Sequence, residues 1–333
     1  MRHWFREVVA RAWPVGLLAG TMIAMVITGL GQATGGASPT GSEVPNPRRH
    51  PAMVDALGDT LPAGPAAQRI VSLSPNLTEA LLSLGVSPRR LVGRTRYCDY
   101  PPAALASPDV GGIIDPSLER IQEARPDLVV VARGNPIDLQ EQIRALGIPL
   151  FAFDDRSDLE GIGDLLAEID RLVLPDQTQK AESLLARFEH QARAFSDWAE
   201  AIPRSERPRV YFADPDNPGF TAGPGSHIDD LIRNAGGRNV VTEGGAWPRY
   251  SNEALLVAAP EHLLLALPPG RTLAQVLEQL RKDPIWGALP AVKQGSVCVV
   301  EAGMLLRPGP RSIEVLERIA GWLHGDRSRP ESR

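Results

Sequence analysis

Two acidic residues stand at matching places in a stretch of sequence that occurs twice. Ser117 to Ala132 reads SLERIQEARPDLVVVA and Ser251 to Ala266 reads SNEALLVAAPEHLLLA, 134 residues apart. Overlaid, the copies share Ser, Glu, Ala, Pro and Ala and match in type at Ile121/Leu255 and Asp127/Glu261. Each reads as a helix opened by Ser with an early Glu, a Pro-acid turn and a buried strand. Glu119 and Glu253 thus fall in the first turn of equivalent helices, where the helix dipole favours a carboxylate by about 0.3–1 kcal/mol. The alternative is docking: a pair of equivalent acids suits a partner that is itself twofold.

A second set of side chains lies in loops rich in Gly and Pro, a composition that runs over the surface. These are Tyr97 and Cys98 in RYCDYPP (96–102), Phe220 between Gly219 and Thr221, Trp247 and Tyr250 in AWPRYS (246–251), and Arg307 in RPGPR (307–311). Each has a plainer reading. Tyr97 packs on Pro101, Trp247 or Phe220 fills a core, Cys98 is a small buried residue, and Arg307 pairs with a neighbouring Asp. Tyr250 is a candidate on position alone.

Catalytic and metal chemistry find little support. The six His show no HxH or HExxH spacing and the two cysteines, Cys98 and Cys298, form no CxxC, so no protein-built metal site and no cofactor are expected. GPGSH (223–227) is not a nucleophile elbow, and His227 is the only His near these loops, so no nucleophile–base pair is offered. The net charge of −5 with scattered Arg and Lys argues against nucleic acid, which favours a clustered basic surface.

The elements that must position these residues repeat as the acids do. An interval of 134 residues is the size of a domain, far beyond the 20–50 of solenoid repeats, and 333 residues at 43% apolar suffice for two lobes. Strand–helix alternation from Arg69 to Phe153, resuming at Arg209, implies mostly parallel sheets flanked by helices. Between the lobes, 176–201 lacks Gly and keeps apolar residues at 3–4 spacing (Ala181, Leu184, Leu185, Phe188, Ala192, Phe195, Ala199). That is one amphipathic helix of about 39 Å, and Pro203 ends it. The expected fold class is α/β: two Rossmann-like lobes joined by a long rigid helix, with a ligand cleft between them. The expected domains are 68–172, the helix linker 173–203, and 204–325, with a disordered tail at 326–333.

Residues 1–37 read as an export signal or membrane anchor: Arg2, Arg6 and Arg11 precede an apolar run from Val15 to Leu30. Residues 38–67, rich in Pro, Gly, Ser and Ala, read as a disordered linker. The protein is expected to be exported, to the periplasm or cell surface, and monomeric.

Several stretches are specific: RIVSLSPNLTEALLSLG (69–85), YCDYPP (97–102), LERI with PDLVV after it, NPGFTAG (217–223), AWPRYSNEALL (246–256) and RPGPR (307–311). With the two lobes and single helix, they resemble the substrate-binding proteins of ABC importers for cobalamin, iron–siderophores and haem, over roughly 67–325. The pattern is closest to the cobalamin-binding branch. The resemblance implies that Tyr97 packs on the corrin from the first lobe, Phe220 and Trp247 from the second, and Arg307 near the ligand edge. It implies that Glu119 and Glu253 dock onto arginines of the permease dimer, which works with its ATPase. A corrin or porphyrin is a wide flat disc with polar edges, suited to aromatic faces on opposing walls. This metal chelate is cargo, and no reaction is expected.

The chain departs from the branch in places. Ile113 stands where a corrin-facing Trp is expected, Met304 for a second Trp and Gly303 for an Asp. Ala235 and Ala320 replace the branch's disulfide, and Cys98 and Cys298 are expected to be free. An iron–siderophore or haem receptor, with Tyr97 or His227 as axial ligand, is the alternative within the family. A membrane-tethered sensor without a transport role is the alternative outside it.

Overall fold

The computed structural model describes residues 49–174, 178–217, 219–325 and 330. The expected signal or anchor at 1–37, the start of the expected linker and most of the tail lie outside the described residues. No helix among the described residues is long and apolar enough to cross a membrane.

The expected disordered linker is corrected from residue 49 onwards. Two antiparallel ribbons form there: β1 (Arg49–His50) pairs with β4 (Gly64–Pro65), and β2 (Met53–Val54) with β3 (Thr60–Leu61). The anchor is Asp55, whose side chain is 1% exposed. It accepts from Arg144 Nη2 at 2.8 Å, from the amides of Leu57 and Asp59 at 2.9 Å and from that of Ala152 at 3.2 Å. Four donors satisfy a carboxylate that would otherwise be costly to bury. Composition alone conceals such a tether, because one residue supplies it.

The N-terminal lobe runs β5 (Ile70–Ser72), α1 (Pro75–Leu84), β6 (Leu91–Arg94), α2 (Leu118–Glu123), β7 (Leu128–Ala132), α3 (Ile137–Ala145), β8 (Leu150–Phe153) and α4 (Leu159–Val173). Helix α5 (Gln179–Glu200) follows. The C-terminal lobe runs β9 (Arg209–Ala213), α6 (His227–Asn234), β10 (Arg238–Asn239), α7 (Asn252–Ala258), β11 (His262–Leu267), α8 (Leu273–Lys282), α9 (Pro290–Gln294), β12 (Val297–Glu301), α10 (Ala302–Leu305) and α11 (Ser312–His324). The sheets are ordered β6-β5-β7-β8 and β10-β9-β11-β12, with every pairing parallel. Their inner strands β7, β9 and β11 are buried on both faces over most of their length and are accordingly nearly continuous apolar runs. Alternate residues of β7 face different cores: Leu128, Val130 and Ala132 one, Val129 and Val131 the other.

The repeat is visible atom by atom. Ser117 and Ser251 cap α2 and α7, accepting from Arg120 N and Ala254 N. Past the helices, Arg125 (φ 46°) and Ala259 (φ 39°) are the only positive-φ residues other than glycine among the described residues, and each precedes the shared Pro. The shared acid then binds the backbone before the lobe's first strand. Asp127 accepts from Gln68 N and Arg69 N, and Glu261 from Arg209 N at 2.9 Å. The arginines return the contact, Arg69 to the carbonyls of Ala124 and Arg125, Arg209 to that of Ala258.

Helix α5 has 22 residues, about 33 Å at 1.5 Å each. Thr178 caps it, and Ala181, Phe188, Gln191, Phe195 and Ala199 form its buried stripe. It packs on α1 and α4 of the first lobe and on α6 and α11 of the second. Phe188 and Phe195 share one continuous core with Phe151 and Phe153 of the first sheet and Val210 and Phe212 of the second.

Candidate functional site

In parallel sheets, ligand crevices open beyond the carboxyl ends of the strands. The loop after β6 carries Tyr97 to Tyr100, and the segment after β12 carries Arg307 and Arg311. These two meet across the lobes. Arg307 Nη1 donates to Asp99 Oδ1 at 2.5 Å and its Nη2 to the Tyr97 carbonyl at 3.1 Å. Arg311 binds Glu79 of α1 through Nε and Nη2 at 2.8 and 2.7 Å, and its guanidinium lies 3.6 Å from the Tyr100 ring centre. Burial opposes the charge on Arg311, but the Glu79 bonds outweigh it and hold its pKa above the ordinary value. A third tie comes from α6, where Asp230 accepts from Leu159 N, the first residue of α4, at 2.9 Å.

The second lobe's aromatics ride on one ribbon. Gly223 N donates to Ala246 O at 2.9 Å, Thr221 N to Pro248 O at 3.3 Å and Tyr250 N to Gly219 O at 3.1 Å. Phe220, with the Arg249 guanidinium 5.5 Å above its ring, and Trp247 are both half-buried. Trp247 is edge-on to Phe212 at 6.3 Å. Tyr250 packs instead on Tyr211 at 5.8 Å. Tyr211 and Phe212 are successive strand residues and face opposite sides of the sheet. Tyr250 is half-buried and packs against the core on the opposite face of the sheet from the one Trp247 packs on.

Cys98 is not presented at the surface. It is fully buried, its Sγ lies 3.1 Å from Thr95 Oγ1, and burial pushes its thiol pKa up. Cys298 is buried too, and both cysteines are free. His227 is 4% exposed, and burial lowers its pKa to about 4, so its ring is not presented as an axial ligand. Ile113, in place of the expected Trp, is 4% exposed, and its carbonyl accepts from Asn135 Nδ2 at 2.8 Å. Tyr97 stays half-buried on the interlobe loop.

Glu119 and Glu253 are exposed in the first turns of α2 and α7. The amide of Glu253 itself and the Ser251 hydroxyl hold its carboxyl below the usual range. Among the described residues no group of three His, Cys, Asp or Glu side chains could hold a metal ion. A concavity of about 780 Å³ on the first lobe, bounded by Arg69, Arg89, Asp109 and Arg120, lies away from all of these interlobe contacts.

Sequence reasoning missed Glu79, Asp99, Tyr100 and Arg311 as a connected set. One signal was available: Glu79 stands among Leu77, Leu81 and Leu82 on the buried side of α1, where an acid demands a partner.

A family model described as periplasmic binding protein matches residues 70–302. The chain belongs to that family. It is 30% identical over 260 residues to the vitamin B12-binding protein of Salmonella typhimurium, covering 78% of this chain and 91% of the relative. Among solved structures it resembles the periplasmic haem-binding protein BhuT in complex with two haems, at 29% identity and TM-score 0.67, covering 78% and 99% of the two chains. It shares the fold of the periplasmic vitamin B12-binding protein BtuF of Vibrio cholerae, at 24% identity and TM-score 0.65 over 77% and 96%. The chain has the two-lobed α/β fold of these periplasmic binding proteins.

Proposed function

We propose that the chain is an exported receptor that captures cobalamin or a related corrinoid between its lobes and delivers it to an ABC importer. The observation that carries this is the seam. An aromatic loop of the first lobe, Tyr97 to Tyr100, is held in register with the second lobe by Arg307 and Arg311, and the second lobe contributes the Phe220–Trp247 ribbon. Opposed aromatic walls fit a flat macrocycle, and the similarity to vitamin B12-binding proteins over most of the chain favours a corrin. Glu119 and Glu253 would engage the permease dimer, and no step of catalysis is assigned.

Titration of the full chain with cyanocobalamin is expected to quench tryptophan fluorescence with one ligand per chain. Absence of both heat and quenching, beside clear binding of haemin or a ferric siderophore, overturns the corrin assignment. Haem is the second reading, favoured by the likeness to BhuT. With His227 buried, Tyr97 is its axial candidate, and a haemin complex whose spectrum changes in Tyr97→Phe would support it.

A further inference from the structure

Arg307 is the cation that family resemblance places at the ligand edge, yet it is not what the cleft presents. Its side chain is 4% exposed, whereas that of its partner Asp99 is 45% exposed. Asp99 Oδ1 takes the Arg307 bond, and Oδ2 has no partner among the described residues. The neighbouring Arg311 is likewise answered by Glu79 at 2.7 Å. At the loop ends on either side, Arg133 pairs with Asp154 at 3.3 Å and Arg271 with Asp216 at 3.1 Å. A ligand edge arriving at the seam therefore meets an acceptor, with the positive charge behind it already compensated.

We propose that Asp99 is a specificity residue. It selects a ligand whose edge donates hydrogen bonds, as the carboxamides of a corrin do, over one whose edge carries carboxylates, as a porphyrin does. The inference rests on the interlobe cleft being the capture site. An ionised carboxylate accepts and cannot donate. Amide N–H groups satisfy it, while a propionate placed against it meets like-charge repulsion. The same residue also withholds Arg307, the natural partner of a propionate. Specific interfaces combine a repulsive element of this kind with attraction for the correct partner.

Asp99→Asn tests this, because it keeps the side-chain shape while removing the charge that masks Arg307. The full chain, as wild type, Asp99→Asn, Asp99→Glu and the double variant Asp99→Asn/Arg307→Met, is titrated separately with cyanocobalamin and haemin by tryptophan fluorescence. In Asp99→Asn the ratio of the haemin Kd to the cyanocobalamin Kd is expected to fall by about tenfold or more. Asp99→Glu should keep the wild-type ratio, and the double variant should return most of the way to it. A ratio that stays within about threefold of wild type in Asp99→Asn, while the wild type binds cyanocobalamin, overturns the role of Asp99 and leaves the receptor assignment standing. A wild type that binds no cyanocobalamin overturns both. Arg249, stacked on Phe220, is the rival cation. If Arg249→Met abolishes the haemin gain of Asp99→Asn and Arg307→Met does not, the unmasking of Arg307 is wrong.

Discussion

Removing the Arg311 guanidinium tests whether the two lobes behave as one body. Arg311 and Glu79 are 11% and 2% exposed at the side chain, joined by two bonds at 2.8 and 2.7 Å. Arg311→Met keeps the aliphatic stem and strands the acid. Breaking a buried pair from one side costs about 3–5 kcal/mol, because the remaining charge is left uncompensated. Loss of the contact with Tyr100 at 3.6 Å adds about 0.5–2 kcal/mol. The expected total is therefore about 5 kcal/mol, read as a fall in the urea midpoint by circular dichroism. Glu79→Leu/Arg311→Met removes both charges and should recover most of the loss, since an apolar replacement of a buried pair is often neutral. If the single variant loses less than about 1 kcal/mol, or the double variant is no more stable than the single one, the pair is not the interlobe tie described here.

Trp247→Ala should weaken cyanocobalamin binding by about 1–3 kcal/mol in a titration, as for other aromatic anchors; unchanged affinity would place the ring in the core only. Glu119→Ala/Glu253→Ala should leave ligand affinity within about threefold and sharply reduce uptake by cells carrying the cognate importer; normal uptake would reduce the two acids to helix-start residues. Both thiols should be unreactive in the native protein and titrate as two after unfolding without reductant, because Cys98 and Cys298 are free and buried. His227 should make stability depend on pH. Its folded pKa of about 4 lies below the unfolded 6.5, so the unfolded chain binds the extra proton and stability is lost as pH falls from 6.5 towards 4. His227→Gln should flatten that limb of the curve, and an unchanged slope would locate the dependence elsewhere.

What was legible in the sequence was local backbone logic. Ser117 and Ser251 open helices, and a Pro-acid turn then leads into a buried strand in each copy. These elements recur at fixed spacing, so overlaying the copies reveals them, while the bonds from Asp127 and Glu261 to the start of each lobe's first strand span 52 to 59 residues and are not visible that way. The seam obeys no spacing. Asp99 and Arg307 are 208 residues apart, Glu79 and Arg311 232, and nothing near either acid names its partner. The packing of Tyr250 was hidden for a different reason. Position beside Trp247 suggested a shared wall, but successive strand residues beneath them point to opposite faces. The ordered segment at 49–67 was hidden because its anchoring rests on Asp55 and on a partner, Arg144, 89 residues away.

The same long-range contacts constrain how such a receptor can work. Its lobes share one apolar core through α5 and are tied at the cleft by Arg307, Arg311 and Asp230. A wide hinge opening would expose that core and strand two arginines and an acid, which costs several kcal/mol. The cleft is accordingly pre-formed, and little binding energy goes into ordering it. A tie that favours capture opposes release to the same extent, because a ligand shifts an equilibrium only by its differential affinity for the two states. Release on the proposed function must therefore be driven from outside, by a partner that grips both lobes at once. The exposed Glu119 and Glu253, one per lobe at equivalent helix starts, are where such a grip would act on the two halves in opposite directions.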